Sequence, residues 1–228
     1  MPDPTPNAEL LRSLGRLARG LSALFWGLPT LLIISVRMAR ADWLAPWAMV
    51  PVLALSGLLL IGLWQMSSFQ KQERPWRAAL DRAKLLGLVN LGLSPFLYWW
   101  NRVPDQPFFG IGVLLLALAG VVFLFSLNLV IERLGAMLPD ETLRHETKQF
   151  TAFNRGLLLA LLLFTAIYLG LAQLPNLPVQ FRIFALILER GSHWALIVLV
   201  LLPLAMTMAL IWKTKEVILD SVFGGGRN

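Results

Sequence analysis

From Phe108 to Ile131 the chain runs without a charged residue, and Ser126 and Asn128 are the polar side chains it carries there. That run limits the fold more than any other feature. A helix of ~20 apolar residues covers the hydrocarbon core of a bilayer. Backbone groups in hydrocarbon must satisfy one another, and a helix does so within one segment.

Further apolar runs follow the same pattern. They predict spans at about 21–36, 44–66, 85–100, 156–174 and 193–212, beside 108–131. The expected fold is all-α: a polytopic membrane helix bundle of six transmembrane helices, arranged as three hairpins. Of 228 residues 57% are hydrophobic and 14% are charged. Soluble domains carry about 25% charged residues. A deficit that large predicts a single membrane domain over 21–213 and no separate soluble domain. Residues 214–228 read as a cytoplasmic tail with a Gly-rich end.

The lead is different in kind. Pro2, Pro4 and Pro6 argue against a helix over 1–7. From Ala8 to Gly20, Leu10, Leu14, Leu17 and Leu21 recur at helical spacing, with Arg12, Arg16 and Arg19 on another face. The reading is an amphipathic interfacial helix whose arginines meet lipid headgroups or simply fix orientation. Residues 178–190 read as a second interfacial helix. Ala39-Arg40-Ala41 has the small-x-small form of a signal-peptidase site. The 20-residue lead with Asp3 and Glu9 favours an uncleaved first span. Pro29 should kink that span or mark a helix contact. The run 85–100 is the shortest and holds Asn90 and Pro95, so it is either a short span or a re-entrant helix.

Charge placement gives orientation. The net charge is +7. With the N-terminus inside, fifteen Lys and Arg fall on inside segments: Arg12 to Arg19, Lys71 to Lys84, Arg133 to Arg155, and Lys213, Lys215 and Arg227. Five fall outside: Arg37, Arg40, Arg102, Arg182 and Arg190. The positive-inside rule then places both termini in the cytoplasm, the expected membrane being a bacterial inner membrane. Trp43, Trp47, Trp99, Trp100 and Trp194 fall at outer span ends, and Trp76 and Trp212 at inner ends, as aromatic belts require. Basic residues beside apolar runs suit lipid headgroups, and nucleic acid is not expected as a partner.

Two hairpins share a pattern. Gly27-Leu28-Pro29 resembles Gly92-Leu93-Ser94-Pro95, and Leu53-Ala54-Leu55-Ser56-Gly57 resembles Leu116-Ala117-Leu118-Ala119-Gly120. Similar offsets suggest a parallel repeat of hairpins, with the last two spans a divergent third copy.

Chemistry-bearing constellations are sparse. Cysteine is absent, which removes disulfides, thiolate metal sites and cysteine nucleophiles. No Asp, Glu, Lys or His falls in the middle of a predicted span, so ion-coupled transport is disfavoured. Asn90, Ser126, Asn128, Thr165 and Thr207 are polar at depth. Asn128 precedes Glu132 by one helical turn, and Asn128, Glu132 and Arg133 form a candidate polar pocket; more often such amides bridge helices. Asp140 is a suitable N-cap for a helix over 140–154. Glu141 and His145 share a face there, but two ligands fall short of the three of a catalytic zinc site. No nucleotide-binding, nucleophile or haem motif is present, and no cofactor is expected.

The function expected is therefore a non-enzymatic membrane subunit or scaffold, with partner membrane proteins or further copies of itself and with the phospholipid bilayer. The alternatives are a small transporter or channel for a neutral or amphipathic solute, and a lipid-modifying enzyme built from 67–84 and 132–155. A polar cavity at Asn128 and Glu132 would favour transport or catalysis, and tight apolar packing there a subunit role.

Overall fold

In a computed structural model of the chain, every regular element among the described residues is an α-helix. The structure describes residues 6–40, 47, 49–70, 72–138, 141–172 and 179–223. For 6–10, 40, 142–143, 168–169, 171–172, 179–196 and 221–223 it describes the backbone alone. The helices are α1 (Pro6–Arg40), α2 (Met49–Met66), α3 (Arg74–Leu93), α4 (Pro95–Arg102), α5 (Pro107–Met137), α6 (Glu141–Ala172) and α7 (Val179–Phe223).

Among the described residues, five helical segments are long and apolar enough to cross a membrane: Leu11–Ala39, Met49–Met66, Pro107–Met137, Arg144–Ile167 and Ile197–Asp220. The chain is an integral membrane helix bundle. The predicted span 85–100 is not among the five, because it is divided between α3 and α4. Pro95 has no N–H to give the Leu91 carbonyl, and the Ser94 hydroxyl donates to that oxygen instead, at 2.8 Å. Ser94 itself keeps helical dihedrals, and its N–H donates to Asn90. The two helices thus form one broken rod. It runs the length of α5: Gly87 lies against Phe123, and Phe96 lies against Gly112. The α3–α4 rod is not itself apolar and long enough to count among the five, and it owes its place to α5.

The interfacial helices are not separate elements. Residues 8–20 and the first span are one helix, α1, of 35 residues. Its stripe of Leu17, Leu21, Leu24 and Leu28 is buried against protein, not laid on a membrane surface. Residues 179–190 are likewise continuous with the last span in α7, which has 45 residues. The helix expected over 140–154 continues into the fifth span as α6. At 1.5 Å per residue, α1 is about 50 Å long and outreaches a ~30 Å hydrocarbon core. Pro29 sits in unbroken helix. It lies where α1 meets α2, with neighbouring Gly27 against Leu59.

One end of the bundle gathers the basic segments. Leu17 and Leu21 of α1, Met66 and Phe69, Trp76 and Leu80 of α3, Leu134 and Leu138, and Ile218 of α7 pack in one buried cluster. This basic end is densely filled. Gly20 allows α1 to cross α2 there: a Cβ on it would stand 2.6 Å from the Gly62 carbonyl oxygen. Trp76 departs from the belt position expected of it. It is 1% exposed, and its indole N–H donates to the Phe69 carbonyl at 3.1 Å. Arg12, Arg16 and Arg19 are exposed at this end.

The opposite, aromatic end is lighter. Met38, Val52 and Leu97 form a small buried cluster. Trp99 stacks on Phe109, Phe96 packs on Phe108 and Phe109, and the Arg102 guanidinium lies 5.5 Å from the Tyr98 ring centre. Trp47, Trp99 and Trp100 are exposed, as expected of belt residues. Trp43, Asp140, His193 and Trp194 lie outside the described residues or side chains. The α1–α2 and α3–α5 pairs are the most extensively packed. Their matching motifs are not packed alike: Gly27 touches Leu59, while a Cβ on Gly92 would meet nothing.

Candidate functional site

Three polar residues from three helices meet toward the basic end, one turn of α5 in from Glu132. Asn128 on α5 is fully buried, and its amide donates to Thr207 Oγ1 at 3.0 Å and to the Leu124 carbonyl at 2.8 Å. Asn154 on α6 donates to the same Thr207 oxygen at 3.0 Å and to the Pro203 carbonyl at 3.2 Å. The Thr207 hydroxyl lies 2.8 Å from the Pro203 carbonyl, to which it can donate its proton. The knot fastens α5, α6 and α7 at one level.

The candidate pocket of Asn128, Glu132 and Arg133 does not assemble as a pocket. Asn128 is closed in by the knot. The Arg155 guanidinium pairs with the Glu132 carboxylate at 3.2 Å and lies over the Phe125 ring. Arg133 points away and is exposed. Lys213 pairs with Glu146 across α6 and α7. Around them Thr147, Thr151 and Thr214 are buried, so the contact between α6 and the bundle is polar over several turns. Sequence reasoning marked Asn128 and Thr207 as polar at depth but missed Asn154, Thr151 and Arg155. Their signal was available: Thr147, Thr151, Asn154, Leu158 and Leu161 follow the i, i+4, i+7 spacing of one helix face, and all are buried.

Glu141 and His145 are exposed on α6. Among the described residues no three His, Asp or Glu side chains come close enough to share a metal ion. A small cleft between Ser67 and the start of α3 is bordered by Arg77, Asp81 and Lys84, with Lys84 and Asp81 paired at 3.2 Å.

A larger cavity lies elsewhere. It has a volume of about 500 Å³ and stands between the packed basic end and the small cluster at the aromatic end. Its wall takes residues from every helix: Leu31 and Ser35 on α1, Ser56 on α2, Asn90 on α3, Leu97 on α4, Ala117 and Gly120 on α5, Leu161 and Thr165 on α6, and Leu204 on α7. The described backbones of α1 and α5 do not approach each other, and the cavity occupies the space between them. Its wall is overwhelmingly apolar and is open on part of its surface. No charged side chain lines it.

Ligand sites commonly fall in the range of about 300–1,000 Å³. Because it is open on part of its surface, the surrounding medium can enter it. Water is a poor filler, because an apolar cavity offers it too few partners. Hydrocarbon matches the wall. Sequence reasoning could not find this feature. Gaps arise from small residues such as Ser35, Ser56, Ala117 and Gly120 facing one another, and nothing in residue type says which helices will face.

The chain matches no known protein-family profile, no curated protein and no solved structure.

Proposed function

We propose that this protein is a non-enzymatic membrane component that holds a lipid inside its helix bundle and serves partner membrane proteins as a subunit or scaffold. The observation that carries the reading is the apolar cavity, walled by residues of all seven helices. The polar groups support it from the other side. Asn128, Asn154 and Thr207 are engaged with one another, and Glu132 and Glu146 are engaged with Arg155 and Lys213. Side chains used to fasten helices are not free to act on a substrate. The basic end, rich in Lys and Arg, supports a cytoplasmic position for both termini in a bacterial inner membrane.

The test is native mass spectrometry of the purified protein released from nanodiscs. One retained lipid per chain is expected. Gly120→Leu should displace it, because a Cβ at Gly120 meets no atom within 4 Å and the added side chain can grow into the cavity. Retention unchanged in that variant, with its fold intact, would overturn the reading. A transporter for an amphipathic solute would present the same cavity. Proteoliposome flux above that of protein-free vesicles, lost in Gly120→Leu, would replace holding by carriage.

A further inference from the structure

We infer that the lipid held in the cavity is an uncharged one that presents a carbonyl oxygen, and that Asn90 and Ser56 recognise it by donating to that oxygen. This rests on the reading that the cavity holds lipid. It adds which chemical group is recognised and by which residues.

Two polar side chains from neighbouring helices stand at one level of the wall. The α2 and α3 helices are antiparallel neighbours joined through residues 67–73. Gly87 of α3 faces Leu60 of α2 and Phe123 of α5. Asn90, one turn further toward the aromatic end, is therefore level with Ser56 of α2 and with Gly120 of α5. Ser56, Asn90 and Gly120 all line the cavity. A Cβ on Gly120 would meet no atom within 4 Å, so α5 leaves room at this level.

What this level offers a ligand is donors. Asn90 Oδ1 is fully buried and has no surface toward the cavity. The Asn90 amide N–H remains accessible and donates to no described residue. The Ser56 hydroxyl likewise bonds to no described residue. Two other hydroxyls on the wall are already engaged: Thr165 donates to the Leu161 carbonyl and Ser94 to the Leu91 carbonyl, each at 2.8 Å. An unpaired N–H in an apolar wall is costly, and a hydrocarbon chain leaves it unpaired. A carbonyl oxygen relieves it. That oxygen has two lone pairs, one for the amide and one for the Ser56 hydroxyl. An alcohol can accept as well, but its own proton then needs a partner, and Asn90 Oδ1 is closed to it.

Charge narrows the class further. With no Lys, Arg, Asp or Glu on the wall, a phosphate or ammonium group there would be uncompensated. A phospholipid ester carries its phosphate a few bonds from the carbonyl, so only its acyl chain suits the cavity. An isoprenoid quinone and a neutral acyl ester such as a triacylglycerol share the chemistry that fits.

The experiment uses the full chain in nanodiscs with three diazirine-tagged probes of one chain length: a long-chain ketone, the secondary alcohol made by reducing it, and the alkane. Wild type should bind the ketone about 3- to 10-fold more tightly than the alkane, the worth of one neutral hydrogen bond. It should also bind the ketone more tightly than the alcohol. Crosslinks should fall on peptides covering 52–59 and 87–97. Asn90→Leu and Ser56→Ala should each narrow the gap between ketone and alkane, and the double variant should close it. Thr165→Val, on the same wall with its proton already engaged, should leave the gap unchanged. Ketone and alkane bound equally by wild type, with crosslinks in the cavity, would overturn the carbonyl assignment and leave lipid holding intact. Tighter binding of the alcohol would overturn it too, since an acceptor would then face the ligand. Untagged isoprenoid quinone and untagged triacylglycerol are then competed against the ketone. Displacement by either supports the assignment and identifies the source of the carbonyl; displacement by neither overturns it. Absence of cavity crosslinks with every probe would remove lipid holding itself.

Discussion

Replacing Thr207 by Val tests the polar knot with little change of shape. The hydroxyl accepts from two amides, Asn128 and Asn154, each at 3.0 Å. Val keeps the volume, so no cavity term enters. Each amide retains one carbonyl, Leu124 for Asn128 and Pro203 for Asn154. Each therefore loses about half of its donor bonds. Interhelical hydrogen bonds in membranes are worth ~0.6 kcal/mol on average and up to ~1.7. Two lost bonds give a destabilisation of about 1–3 kcal/mol. The assay is reversible unfolding in bicelles, with Asn128→Leu and the double variant completing a cycle. The double variant should be less destabilised than the sum of the singles by about 0.5–1.5 kcal/mol, because the two share one bond. A Thr207→Val variant within ~0.3 kcal/mol of wild type, or strictly additive with Asn128→Leu, would refute the claim that this knot joins α5 to α7.

Other consequences can be measured separately. Trp76→Phe should cost about 1 kcal/mol for the indole bond to Phe69, and Trp76→Ala about 3–5 kcal/mol, read by the same unfolding assay. Equal losses would show that packing is not what holds Trp76. Changing Arg12, Arg16 and Arg19 together to Gln should weaken association of the N-terminal segment with anionic lipid, by up to ~1 kcal/mol per arginine at low salt and less at high salt. Lipid co-purification that is indifferent to both the substitutions and the salt would leave the arginines with orientation alone. The chain has no cysteine, so single cysteines report topology without background. In intact cells Asp105→Cys should react with an impermeant maleimide and Gln72→Cys should not; the reverse result would invert the proposed orientation.

The spans could be read because bilayer thickness writes itself directly into the length of apolar runs. Continuity could not. Arg12 to Arg19 resembles a surface helix in composition, yet it continues into α1 because nothing between Arg19 and Leu24 breaks the helix. Trp76 illustrates another gap: proximity to basic residues suggested a headgroup belt, while its indole N–H had a carbonyl waiting inside at Phe69. The partnership of Asn128 with Thr207 spans 79 residues of sequence. Two polar side chains at similar depth can be marked in a sequence, but the helix neighbours that pair them cannot.

The break at Ser94–Pro95 has a consequence for how the protein is made. The α3 helix begins with Arg74, Arg77, Asp81, Arg82 and Lys84, and its apolar part ends after a few turns at the proline. Such a segment gains little free energy by leaving the translocation channel for lipid on its own. Its contacts with α5 offer what lipid does not: Phe123 for Gly87, and Gly112 as a seat for Phe96. Insertion of the third predicted span is then coupled to synthesis of the fourth. A nascent chain halted after Arg102 should leave residues 85–100 accessible to water, and one extended through Ile131 should not. The order of translation, more than the composition of the third predicted span, would set when this bundle acquires the α3–α4 rod.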